Sequence, residues 1–239
     1  MKFAHAITGL VAAAGLVASA PAFADSVTLG AGDIGTAFTL NYDGFSNGTA
    51  IGGLTGSTTF TLTGVSGNDY TFNYAVSNTS AAPITASRIS SFAFNTDPII
   101  ASASSSGAFA YTTLNSNYPN GIGVVDVCFK DATTGSCAGG GSGGLTIGQS
   151  GGGAFTLGFS QPVSSLTLSD FYIRYQSIAG ANNPPSSGSG AGTLTSSGGT
   201  TTSSGGTPVP EPGMLGLMAG GLALVGLARR RQKVRFVPA

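Results

Sequence analysis

The sequence predicts an all-β fold, an antiparallel β-sandwich of the jelly-roll type, and two observations support this prediction. Apolar and polar residues alternate with a period of two in almost every apolar segment between residues 25 and 179, which is typical of strands that bury one face. Turn-forming Gly, Asn, Asp and Pro separate these segments. About eight to ten short strands at this spacing favour a sandwich, while the order of the strands stays open.

The individual strands follow from the alternation. Between residues 58 and 62, for example, Phe60 and Leu62 point to one face while Thr59 and Thr61 point to the other. The predicted strands are 37–42, 58–62, 70–76, 88–94, 122–129, 154–159 and 163–175. Turns are predicted at 64–69, 95–98, 118–121 and 160–162. A solenoid is disfavoured because the sequence has no fixed repeat of about 20 to 50 residues.

The N-terminal segment predicts a secretory signal peptide over residues 1–24. Lys2 supplies a positive charge, residues 7–18 form a short apolar stretch, and Ala22 and Ala24 flank Phe23 in a small-x-small cleavage site. Cleavage after Ala24 leaves a predicted β domain over residues 25–179. An N-terminal membrane anchor is disfavoured because the apolar stretch is short.

Residues 180–207 are rich in Gly, Ser, Thr, Asn and Pro, and Leu194 is their single large apolar residue. This composition predicts a flexible linker, which would span roughly 30 Å as a Gly/Ser coil. The alternative is an edge strand around Leu194 that docks on the domain.

Three features follow one another after the predicted linker. The Pro-rich motif Val209-Pro210-Glu211-Pro212 precedes an uncharged apolar run over residues 213–228. As a helix, this run would be about 24 Å long, marginal for a hydrocarbon core of about 30 Å. A basic tail begins at residue 229 and is predicted to stay cytoplasmic; its cluster comprises Arg229, Arg230, Arg231 and Lys233. We therefore predict a single C-terminal transmembrane helix.

Charge is unevenly distributed along the chain. Residues 25–210 contain eight aspartates but only Arg88, Lys130 and Arg174 as basic residues, a formal charge of −5. A weakly acidic domain is a poor match for nucleic acid, whose phosphates require clustered Lys and Arg. It is equally unsuited to anionic lipid headgroups.

Catalysis has little chemical basis in this composition. The single histidine, His5, lies in the predicted signal peptide, and the single glutamate, Glu211, lies in the Pro-rich motif. The mature domain therefore has no imidazole for a Ser-His-Asp or Cys-His site. We predict that the protein is not an enzyme, with a hydrolase based on paired aspartates as the least favoured alternative.

The two cysteines, Cys128 and Cys137, are separated by eight residues. In an exported chain this spacing predicts one disulfide that closes a hairpin or loop. A redox pair or a soft-metal site is the alternative, and the absence of a third Cys and of a mature His argues against it.

Aspartates near predicted turns raise a calcium hypothesis, with candidate ligands Asp69, Asp97, Asp126 and Asp131. None has the spacing of an EF-hand loop, and Asp commonly caps its own turn. We therefore predict no cofactor and keep calcium as an alternative. Tyrosines that would stack on sugar rings, if exposed, are Tyr42, Tyr111, Tyr118 and Tyr175.

The C-terminal motif, apolar run and basic cluster together resemble the PEP-CTERM sorting signal of Gram-negative bacteria, also catalogued as an ice-binding protein C-terminal motif. Pro210, Glu211 and Pro212 match the motif residue for residue, and the signal is placed at residues 208–233. The resemblance implies processing by an exosortase, a membrane cysteine peptidase that cuts near the motif and removes the helix and tail. Residues 234–239 extend beyond the family's usual short basic end. The motif does not imply ice binding.

The body of the chain is similar to a subset of these proteins, the cistern family. The similarity involves residues 72–74, 78–80, Arg88, 92–98, 126–129 and 137–140. This family has no assigned activity to transfer, so the resemblance bears on architecture alone.

These observations predict an exported, non-enzymatic protein of the cell surface, outer membrane or extracellular matrix of a Gram-negative bacterium. Its expected partners are signal peptidase, an exosortase, the inner membrane in transit and extracellular polysaccharide. The main alternative is a carbohydrate-binding module, with or without calcium.

Overall fold

The computed structural model describes residues 25–133, 136–137 and 142–195. Within these residues, almost every element is a strand, and all the strand pairings are antiparallel, so the all-β antiparallel prediction is confirmed. The strands are β1 (Ser26–Leu29), β2 (Ala37–Ser46), β3 (Thr49–Ser66), β4 (Asp69–Asn78), β5 (Ile84–Asp97), β6 (Ser102–Ser105), β7 (Tyr111–Tyr118), β8 (Gly123–Lys130), β9 (Leu145–Thr146), β10 (Ser150–Gly158), β11 (Leu166–Gly180) and β12 (Ser187–Leu194). Two short 3-10 helices cover Ala31–Asp33 and Gly107–Phe109.

The strands form one continuous sheet instead of the two separate sheets of a sandwich. Their order is β6-β10-β4-β3-β2-β12-β11-β5-β8-β7, with β1 paired to β11 and β9 paired to β5. The sheet curls until it is nearly barrel-shaped. The jelly-roll sandwich prediction is therefore corrected, because long strands such as β3, with 18 residues, and β11, with 15, carry the sheet around the core without a break.

A cluster of phenylalanines fills the interior of the curled sheet. Phe60 of β3 lies 5.6 Å from Phe92 of β5, and Phe155 of β10 lies 4.7 Å from Phe129 of β8, measured between ring centroids. These pairs join opposite halves of the sheet. Burial of each such side chain contributes about 1.5–3 kcal/mol, so the inward positions of the alternating strands supply most of the driving force for folding.

The gap between the two end strands, β6 and β7, is bridged by the short helix Gly107–Phe109. Phe109 is fully buried and packs 5.4 Å from Phe92. The hydroxyl of Tyr74 accepts a hydrogen bond from the Phe109 amide at 2.9 Å and donates one to the Ser106 carbonyl at 2.8 Å. This connection closes the interior where the sheet itself stays open.

The first part of the predicted linker is a strand, which corrects the domain boundary. β12 lies between β2 and β11 instead of at an edge. Its inward positions are Gly188, Gly190 and Gly192, and large neighbouring side chains occupy the space beside them. A Cβ at Gly190 would lie 3.0 Å from Tyr42 Cβ, and one at Gly192 would lie 2.9 Å from Tyr42 Cε1. The domain therefore extends through β12, and the linker prediction is wrong for this stretch.

Candidate functional site

The four candidate metal-binding aspartates do not converge. Asp69 and Asp97 are exposed at the ends of β4 and β5. Asp131 pairs with Arg88 across 3.3 Å, and Asp126 accepts a hydrogen bond from the Thr96 amide at 2.8 Å. Within the described residues, no three His, Cys, Asp or Glu side chains are grouped as metal ligands would be, so the calcium hypothesis has no donor cluster there.

Asp126 instead extends a strand pairing. The backbone pairing of β5 with β8 ends at Phe94 and Val127. Beyond that point, the Asn95 side chain accepts a hydrogen bond from the Asp126 amide at 3.0 Å, while the Asp126 carboxylate accepts one from Thr96. Side chains thus replace the missing ladder bonds. The Asn95 amide also donates to the Asp170 carboxylate at 2.9 Å, so these acidic groups have a structural role.

The disulfide joins Cys128 at the end of β8 to Cys137, with the two Cα atoms 5.9 Å apart, within the usual range for such bridges. Both residues are fully buried in a second, smaller apolar cluster on the outer side of the sheet. The Ser91 hydroxyl donates to the Cys137 carbonyl at 2.9 Å. Arg88 anchors the same region, because its guanidinium bonds both the Asp131 carboxylate and, at 2.9 Å, the Gly143 carbonyl.

Three of the four tyrosines predicted to be available for sugar stacking are instead buried. Tyr42, Tyr118 and Tyr175 are at most 1% exposed, whereas Tyr111 on β7 is 43% exposed. Burial raises the pKa of Tyr42, Tyr118 and Tyr175 above the ordinary value. The Tyr42 hydroxyl bonds to the Thr58 hydroxyl at 2.9 Å, while the Tyr175 hydroxyl has no hydrogen-bond partner among the described residues.

An open depression of about 700 Å³ lies where two hairpin turns approach each other. The turns are Asn47-Gly48, between β2 and β3, and Asn120-Gly121, between β7 and β8, and all four residues have positive φ. Asn-Gly is the pair that such turns favour. We call this feature the Asn-Gly depression; its walls include Phe45, Asn47, Asn120, Ile122, Tyr172 and Ala191.

A buried arginine fixes one amide of the Asn-Gly depression. One amide atom of Asn120 lies 2.7 Å from Nη1 of Arg174 and 3.1 Å from the Ser189 amide nitrogen. Both partners donate, so this atom is the oxygen Oδ1. The other amide atom is therefore the donor Nδ2, and it lies near the Ser46 hydroxyl, at 3.5 Å. Arg174 itself is 7% exposed and also donates to the Gly188 carbonyl at 3.1 Å.

The aromatic wall of the Asn-Gly depression is half-buried. The Tyr172 ring packs 5.8 Å from the Tyr118 ring, and Phe45 is also partly exposed. Burial, followed by the negative charge of Asp170, raises the pKa of Tyr172, so its hydroxyl stays protonated at neutral pH. The sequence indicated a turn at Asn120-Gly121, but it gave no sign that Tyr172 would lie beside that turn.

Positive charge is missing from the surface of the described domain. All three of its basic side chains are buried: Arg88 is 7% exposed, Lys130 is 2% exposed and Arg174 is 7% exposed. Burial lowers the pKa of Lys130 and of Arg174. Aspartates such as Asp43 and Asp69 are exposed, so the solvent-facing side chains carry negative charge without compensating Lys or Arg.

The first described residue and the end of the last described strand lie side by side. The Asp25 carboxylate accepts a hydrogen bond from the Leu194 amide at 2.6 Å. Asp25 precedes β1 and is the first residue after the predicted cleavage site, while Leu194 ends β12. Segments that continue from either point therefore start from the same part of the domain surface.

The C-terminal segment matches a known sorting motif, one that implies export from a bacterial cell and sorting to the cell surface or beyond. The model of the PEP-CTERM protein-sorting motif matches residues 208–232. The match begins at the first residue of the predicted sorting signal and ends one residue before its last. The chain thus carries a PEP-CTERM motif, and an exosortase is its implied processing partner. No curated protein and no solved structure matches the chain, so the similarity to the cistern family stays a prediction.

Several predicted segments lie outside the described residues. They are the signal peptide with Ala22 and Ala24, the sorting motif Val209 to Pro212, the helix 213–228 and the basic cluster Arg229 to Lys233. Among the residues that the structure does describe, no helix has the length and apolar character needed to cross a membrane.

Proposed function

We propose that this chain is an exported, non-enzymatic protein that an exosortase places on the surface or in the extracellular matrix of a Gram-negative bacterium. The PEP-CTERM motif at residues 208–232 is the observation that supports this proposal most directly. Signal peptidase would remove residues 1–24, and the inner membrane would hold the C-terminal helix until the exosortase cuts near Pro210.

The arrangement of the domain supports this route. Asp25 and Leu194 are hydrogen-bonded, so an N-terminal signal and a C-terminal membrane segment would start from one end of the domain. Both could reach the same bilayer while the domain stands on its outer side. A disulfide in the described domain fits an oxidising compartment outside the cytoplasm.

A non-catalytic role is supported by the composition of the domain and by the contacts that its acidic side chains make. The mature domain has no histidine and no glutamate upstream of the sorting motif. Asp126, Asp131 and Asp170 each bond to a protein partner, so these three carboxylates make structural contacts, and residues 25–210 contain no His or Glu to act as a general base. We therefore propose no catalytic activity and no cofactor.

Sorting is tested by replacing Pro210, Glu211 and Pro212 with alanine in the native host. The expected result is a mature protein of higher mass that keeps its C-terminal segment and stays with the inner membrane, as measured by mass spectrometry of cell fractions. Alanine at Thr200, Thr201 and Thr202 provides a control with the same number of substitutions upstream of the motif. An unchanged mass and location for the first variant would show the sorting proposal to be wrong.

Carbohydrate binding is the second candidate function. Calcium-dependent binding has no ligand cluster to support it within the described residues. Calcium-independent binding is favoured by one observation, the half-buried aromatic and amide wall of the Asn-Gly depression.

A further inference from the structure

The Asn-Gly depression combines the two kinds of group that bind a sugar ring. Half-exposed aromatic rings, Tyr172 and Phe45, line it. The face of an aromatic ring carries partial negative charge and attracts the C–H bonds of a pyranose. Carboxamides of Asn47 and Asn120 also line it. That of Asn47 can donate and accept hydrogen bonds with neighbouring hydroxyls, and that of Asn120 can donate through Nδ2.

One polar group of the depression, the Asn120 carboxamide, is held in place before any ligand arrives. Arg174 and Ser189 fix Oδ1 of Asn120 on the buried side, so the donor Nδ2 lies on the other side of the amide. The left-handed backbone at Asn47 and Asn120 fixes both turns. Preorganisation of this kind lowers the entropy that binding would otherwise cost.

Charge selects among sugars. The residues that line the depression carry no formal charge. Asp43 lies opposite Ala191 in the pairing of β2 with β12, and Asp170 precedes Tyr172 by two residues. With every Lys and Arg of the described domain buried, a uronate or sulfate group would meet negative charge and no accessible cation.

We propose that the Asn-Gly depression binds an uncharged pyranose ring of an extracellular polysaccharide. Tyr172 contacts the C–H face of the ring, and the amides of Asn47 and Asn120 bond its hydroxyls. This inference rests on the second candidate function and is independent of sorting.

The test uses the exported protein, purified as its host releases it, in native gels that contain dextran, galactomannan or amylose as neutral probes, or alginate as an acidic one. We expect retardation in at least one neutral gel and none in alginate. Tyr172→Ala should weaken binding about 10-fold, while Tyr111→Ala, which removes an exposed tyrosine outside the depression, should leave it unchanged.

Two further variants keep the test decisive if Tyr172→Ala does not fold, since that ring packs on Tyr118. Asn47→Gly removes an exposed amide while retaining a residue suited to its positive φ, and it should weaken binding about 3- to 10-fold. Ala191→Arg places a large side chain at an exposed lining position and should abolish retardation.

The proposal is overturned by any of three results. These are no retardation in all three neutral gels, retardation in alginate alone, and equal weakening by Tyr111→Ala and Tyr172→Ala. None of these results would alter the mass or location measured in the sorting experiment, so failure of one proposal is distinguishable from failure of the other.

Discussion

Replacing Tyr175 with phenylalanine should stabilise the protein. The Tyr175 side chain is fully buried, and its hydroxyl has no hydrogen-bond partner within the described domain. A buried hydroxyl without a partner costs about 1–3 kcal/mol, and removal of one oxygen leaves little empty volume. We therefore expect Tyr175→Phe to raise the free energy of unfolding by about 1 kcal/mol, measured by urea denaturation.

Tyr42→Phe is the matched comparison, because it removes the same atom from an equally buried ring. The Tyr42 hydroxyl bonds to that of Thr58, which is itself 1% exposed. Its loss forfeits a hydrogen bond and leaves the Thr58 hydroxyl buried without a partner, so unfolding should become easier by about 2 kcal/mol. The reasoning would be refuted if both variants changed stability in the same direction by similar amounts.

Three further perturbations have defined outcomes. Burial raises the pKa of Tyr42, Tyr118 and Tyr175 in the folded state, so the unfolded chain loses these three protons first. The contribution of these side chains to stability should therefore be fully present below a pH of about 10 and fall above it by up to about 4 kcal/mol per pH unit. An unchanged urea midpoint at pH 11 would contradict this. Arg88→Met should cost about 3–5 kcal/mol in urea denaturation, because it removes the ion pair between the guanidinium and the buried Asp131 carboxylate; a loss below 1 kcal/mol would contradict it. Reduction of the disulfide should cost about 2–3 kcal/mol for a loop of about ten residues, and an unchanged melting temperature in dithiothreitol would count against it.

The strands that alternate large apolar residues with polar ones were predictable from the sequence. Each of the seven predicted strands overlaps an observed strand. β12 gave no such pattern, because its inward positions are glycines and the space beside them is occupied by Tyr42, Phe171 and Tyr175 of neighbouring strands. Because its inward positions are glycines, β12 has the Gly- and Ser-rich composition that is typical of a linker.

Side-chain exposure was harder to predict than strand position. Tyr42 and Tyr175 face the interior, but a period of two shows only that alternate residues share a face, not which face is buried. Tyr118 is buried because the β7–β8 hairpin folds over the outside of the sheet, where it packs near the disulfide. The Asn-Gly depression depends on contact between two hairpins whose turns are 73 positions apart along the chain, a separation that local patterns do not reveal.

The position of β12 links folding to export. β12 is the last strand of the described domain and the one that joins β2 to β11 in the sheet. A chain that crosses the membrane with its N-terminus first therefore keeps two unjoined half-sheets outside until residues 187–194 emerge. Once β12 has paired with β2 and β11, the Leu194 amide can donate its hydrogen bond to the Asp25 carboxylate. Only about a dozen residues separate β12 from the sorting motif, so on the export route proposed above the sheet would be completed shortly before the C-terminal segment reached the membrane.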